Sequence, residues 1–119
     1  MKFMLVFQET AAAFAHREDP AQAPKYYEAW NAYIGALKQS GVVVNGHGLQ
    51  PPRTGASVRI RDGRRQVQDG PFADTKEHLG GYFVIEVASM DEALEWAARS
   101  PSAAYGTTDV RPVMAMPEP

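Results

Sequence analysis

The chain has no cysteine, which excludes disulfides, thiolate nucleophiles and thiolate metal ligation. It has only three histidines in 119 residues, and none form a His-x-x-x-His pair or comparable ligand spacing, so no metal is expected. No apolar run approaches the roughly 20 residues needed to cross a bilayer, and the N-terminus lacks the apolar region and small-residue cleavage site of a secretory signal. The reading is a cytoplasmic protein with no membrane partner. A net charge of −2 gives no broad attraction to nucleic acid, which is not expected as a partner. Nucleotide, flavin and nicotinamide motifs are missing, because Gly46-x-Gly48 is too short to signal dinucleotide binding. No cofactor is expected.

What is present is a soluble globular composition, with 45% hydrophobic and 22% charged residues in a length that suits one core. One domain over residues 1–119 is expected. The densest set of special residues is Asp69-Gly70-Pro71-Phe72-Ala73-Asp74-Thr75-Lys76-Glu77, followed by His78-Leu79-Gly80-Gly81. Asp69 can cap backbone N–H groups ahead of it, Pro71 fixes φ, and Gly70 tolerates the restriction that a following proline imposes. Asp74 and Glu77 have capping-box spacing and predict one helical turn, anchored by Phe72. Gly70, Pro71 and Phe72 are thus the structural part of a shaped loop with a polar lining.

Along the chain, Met1 to Gln8 predicts a strand that is apolar on both faces. Ala11 to Ala23 reads as a loop, and Pro24 to Gly41 as a helix with Tyr26, Tyr27, Trp30, Tyr33, Ile34 and Leu37 on one stripe. Val42 to Val44 starts a second strand. Asp62-Gly63 predicts a hairpin turn between Ser57–Arg61 and Arg64–Gln68, with one wet face. Tyr82 to Val87 predicts another strand with no simply polar face. Ser89 and Glu92 form a capping box for a short helix with Met90, Ala93, Leu94 and Ala97 buried and Trp96 pointing away. Thr107 to Met116 is the last strand, and Pro112 places it at an edge or beside a bulge. The fold class is α+β: a ferredoxin-like βαββαβ sandwich with an inserted β-hairpin. Two-faced strands call for a second protomer over the open sheet face, so a homodimer is expected.

The central stretch resembles the signature of the DGPF group within the YCII-related family. The likeness extends to Met1-Lys2-Phe3-Met4, Gly46-His47-Gly48-Leu49-Gln50-Pro51, Gly80-Gly81-Tyr82, Asp91-Glu92-Ala93-Leu94-Glu95-Trp96-Ala97 and Val110-Arg111-Pro112-Val113. The resemblance implies protomers that pair through their sheets as a dimeric α/β barrel. It also implies, for some members, an association with extracytoplasmic-function sigma factors. More distant YCII-like proteins carry a histidine on the first helix, followed by an aspartate, as a proposed dyad; this helix offers Trp30 and tyrosines instead.

The candidate site combines these residues. Asp69, Thr75, Lys76 and Arg111 are the ligand-binding candidates, with Lys76 and Arg111 meeting a small anionic ligand, and His47 and Glu77 are the candidates for moving a proton. Arg111 lies in an otherwise apolar strand and needs an anionic partner, either Glu86, Asp69 or a ligand carboxylate. Arg59, Arg61, Arg64 and Arg65 read as a solvated hairpin edge, since no aromatic platform accompanies them. Two functions follow: a small ligand-binding protein that could act as a cofactor-independent enzyme, or a regulatory module with a sigma-factor-related partner.

Overall fold

Alternation in the first strand sets the frame. Phe3, Leu5, Phe7 and Glu9 are buried, while Met4, Val6 and Gln8 between them are half-buried. The computed structural model describes residues 1–70 and 76–116. In chain order its elements are β1 (Lys2–Thr10), α1 (Ala11–Glu18), α2 (Ala23–Ser40), β2 (Val43–Gly48), a 3-10 turn (Pro52–Thr54), β3 (Ala56–Arg61), β4 (Arg64–Asp69), β5 (Glu77–Glu86), α3 (Met90–Ala98), α4 (Pro101–Tyr105) and β6 (Thr107–Pro112). β2, β5, β1 and β6 form one antiparallel sheet in that order, and β3 pairs with β4 as a separate two-stranded ribbon. This is the expected α+β arrangement with its inserted hairpin, and it puts β6 at an edge, as Pro112 requires.

The core lies on one face of the sheet. Phe3, Leu5, Phe7, Phe83 and Ile85 pack there against Trp30, Tyr33 and Leu37 of α2 and Ala93 and Ala97 of α3. Phe7 meets Trp30 edge-on with ring centroids 4.9 Å apart, a favoured aromatic geometry. Gly41 ends α2 at φ 80°, and Asp62 and Gly63 take φ 53° and 73° in the hairpin turn, as the sequence predicts. The opposite sheet face carries Met4, Val6, Tyr82 and Val84, with no helix of the described residues over it.

Several expectations are corrected. Ala11 to Glu18 is a helix, not a loop. Thr10 caps it by accepting from the Ala13 N–H at 3.2 Å, and Ala13 and Phe14 are buried. On α3, Met90 and Leu94 are exposed, and Trp96 is instead half-buried against the core with Arg99 stacked 4.4 Å over its ring. The helix is held by alanines plus a tryptophan. Both faces of the hairpin are wet, with Val58, Ile60 and Val67 at 62%, 60% and 55% exposure. Glu77 opens β5 rather than closing a helical turn; its partner in the expected capping box, Asp74, lies outside the described residues, as do Pro71, Phe72 and Thr75.

Candidate functional site

β1 and β5 lose register between Phe7 and Gln8, where Gly81 pairs with Phe7 and Leu79 with Gln8. Gly80 is the extra residue of this bulge. A Cβ on Gly80 would lie 2.6 Å from Glu9 Oε2 and 3.0 Å from Arg17 Nη2, so only glycine leaves room for the pair above it. Glu9 is 1% exposed, on the apolar phase of β1. A carboxylate so placed must be fully partnered.

It is. Arg17 Nη2 donates to Glu9 Oε2 at 2.7 Å, the Tyr26 hydroxyl donates to Glu9 Oε1, and the Tyr105 hydroxyl donates to the same oxygen at 3.2 Å. Arg17 in turn donates through Nε to the Tyr26 oxygen at 3.0 Å, through Nη2 to Gly80 O at 3.2 Å, and through Nη1 to Leu49 O. Its guanidinium stacks 4.7 Å over Phe14. One arginine thereby ties α1 to β1, α2, β5 and the segment after β2. Burial alone would lower the Arg17 pKa, but the Tyr26 hydrogen bond and the Glu9 charge outweigh it and raise it. Burial, aided by Glu9, holds the Tyr26 phenol well above its ordinary range and pushes Tyr105 up to about 12. At neutral pH Tyr26 is therefore a hydrogen-bond donor or acid, not a base.

Above this network opens a cavity of about 640 Å³, within the usual range for small-molecule sites. Glu9, Arg17 and Gly80 border it below, aromatic residues Phe7, Tyr26, Tyr27, Trp30 and Phe83 on its sides, and Leu49 to Pro51 with Arg53 and Thr54 at the rim. Arg53 closes one side through an ion pair to Glu18 at 2.5 Å. The start of the Asp69-Gly70 stretch lies behind this rim. Gly70 is buried at φ 73°, and its N–H donates to Gly55 O at 2.8 Å, just past the 3-10 turn.

The sequence-predicted residues that are described do not converge. His47 borders the cavity, but its Nδ1 bonds the Tyr82 hydroxyl at 2.8 Å, and strand pairing with Tyr82 puts both side chains on the sheet face away from the helices. Glu77 pairs with Thr10 and accepts from the Thr107 hydroxyl at 3.3 Å. Arg111 is opposite Met4, four residues along β6 from Thr107, which is about 13 Å at strand rise. Lys76 and Asp69 are exposed at strand ends. Of the anionic partners expected for Arg111, Glu86 instead faces the N-terminal ammonium at 3.7 Å, and within the single chain Arg111 is exposed and absent from the ion pairs among the described residues. Sequence reasoning missed Glu9, Arg17, Tyr26, Tyr105 and Gly80 as a unit. The available signal was Glu9, a charge in phase with Phe3, Leu5 and Phe7. Among the described residues no group of histidine and acidic side chains could hold a metal, and no helix is long and apolar enough to cross a membrane.

The chain is 43% identical over 67 residues to an uncharacterized protein of Rhizobium meliloti (strain 1021), a match spanning 55% of this chain and 54% of that relative. Its fold is similar to that of the 5-chloro-2-hydroxyhydroquinone dehydrochlorinase of Burkholderia phenoliruptrix AC1100, solved in complex with 2,5-dihydroxybenzoquinone, with a TM-score of 0.55, 19% identity and coverage of 96% of this chain and 94% of the other. That likeness speaks to the fold. The family model of the YCII-related domain matches residues 1–117, and the chain belongs to the YCII-related family.

Proposed function

We propose that this chain is a small homodimeric ligand-binding protein whose ligand occupies the cavity over Glu9 and Arg17, with cofactor-independent turnover as the activity to test. One observation carries the reading: a buried ion pair with every partner satisfied forms the floor of a cavity of about 640 Å³. Such a floor is costly to desolvate and is compensated by its hydrogen bonds, which makes it rigid and shaped. The related fold solved with a small ring compound supports a small-molecule site in this architecture. Any proton transfer to the ligand falls to Tyr26, held protonated beside Glu9. His47 and Glu77 act, on this reading, only where a second protomer meets the outer sheet face.

The test uses Gly48. It pairs with Gly81 and borders the cavity, and a Cβ there meets nothing within 4 Å. Gly48→Phe therefore puts a ring at the cavity wall from a position where the first side-chain atom meets nothing. Ligand binding found for the wild type should vanish in this variant while its melting temperature holds; binding that persists would place the ligand elsewhere.

A second reading, a regulatory module with a sigma-factor-related partner, is favoured by the uncovered apolar side chains Val58, Ile60 and Val67 on the hairpin. On that reading an extracytoplasmic-function sigma factor binds the wild-type chain and not a V58T/I60T variant.

A further inference from the structure

We infer that the cavity takes an uncharged, planar aromatic molecule bearing hydroxyl or carbonyl oxygens, and not an anion. This rests on the cavity being the ligand site proposed above. Charge accounting comes first. Among the described residues bordering the cavity, the charged side chains are Glu9, Arg17, Glu18 and Arg53, and they are already matched, Arg17 to Glu9 at 2.7 Å and Arg53 to Glu18 at 2.5 Å. Arg17 has further committed N–H groups to Tyr26, Gly80 and Leu49, so four of the guanidinium's five donors are engaged. Among the described residues a carboxylate entering here meets only cations that are already paired, so little offsets the hydration it gives up.

The walls favour a flat ring. Tyr26 and Tyr27 stand perpendicular with centroids 5.1 Å apart, and Trp30 and Phe83 complete the lining. Ring planes at right angles give a planar guest both stacked and edge-on contacts. At the rim the Asn31 amide and the Tyr27 hydroxyl have no hydrogen-bond partner among the described residues, leaving donors and acceptors for a ligand's oxygens.

Isothermal titration separates the alternatives, using methyl 4-hydroxybenzoate, its carboxylate counterpart 4-hydroxybenzoate, cyclohexanol and inorganic phosphate. The ester should bind at least about tenfold more tightly than the carboxylate or cyclohexanol, and phosphate should give no binding heat. Glu18→Gln, an exposed change, frees Arg53; it should tighten 4-hydroxybenzoate severalfold more than it changes the ester, and an equal change in both would contradict the charge accounting. If the carboxylate or phosphate binds the wild type as tightly as the ester, the ligand class is wrong and the ligand site stands. If cyclohexanol matches the ester, the planar requirement fails. If the ester binds Gly48→Phe as well as wild type, or none of the four binds, the site itself fails and the inference with it.

Discussion

Glu9 concentrates the argument at the scale of single residues. Its carboxylate is buried, and removing its charge strands the Arg17 guanidinium, whose side chain is only 13% exposed, in a low-dielectric site. Glu9→Gln should destabilise by about 3–5 kcal/mol, the cost of breaking a buried pair from one side, measured as a fall in the denaturation midpoint; a shift under about 1 kcal/mol would mean that water reaches the pair. The tyrosines give a pH signature. Tyr26, Tyr33 and Tyr105 all have raised pKa values, with burial the first cause, while the unfolded chain ionises its tyrosines near about pH 10. Their protonated forms therefore stabilise the fold fully below pH 10, and that contribution is lost as pH rises through the folded values, starting with Tyr105 at about 12. Tyrosinate absorbance should show part of the tyrosine content titrating only as the protein unfolds in alkali, whereas a single reversible step near pH 10 would contradict the network. Glu9 was legible as an acidic residue on an apolar phase, but the sequence reading ended the strand at Gln8 and so never counted it.

Among the elements, the strands and α2 were readable because period and capping agree in them. The hairpin was readable through Asp62-Gly63, whose backbone takes the left-handed conformation that turn needs. α1 was not. Its Ala-Ala-Ala start carries no amphipathic signal of its own, and the helix exists because Thr10 caps it and Phe14 and Arg17 dock it onto the sheet and α2. Thr10→Ala should cost about 1 kcal/mol by loss of the cap and should raise amide exchange in α1 first, since the helix is short and held by tertiary contacts. Uniform exchange loss across the sheet would show α1 to be integral to the whole cooperative unit. The cavity was illegible for a related reason. It is made where α1, α2 and the segment after β2 meet, and the sequence reading had called one of those three a loop.

At the scale of the whole molecule, half-buried Met4, Val6 and Tyr82, with Val84 buried among them, form an apolar band on the sheet face opposite the helices. Water is a poor cover for such a band, and a second copy supplies the same band in reverse. Light scattering should give twice the 13.1 kDa chain mass at micromolar concentration, and Val6→Glu should return it to the monomer. Arg111 and His47 belong to this face and Arg17 to the other, so the two candidate sites are physically separable. The measurement that decides between them is amide chemical-shift mapping with a panel of small neutral and anionic ring compounds. Shifts clustered at Tyr27, Asn31, Gly48, Leu49 and Gly80 are the predicted result, and shifts confined to Met4, Tyr82 and Arg111 would contradict a ligand site over Glu9 and Arg17.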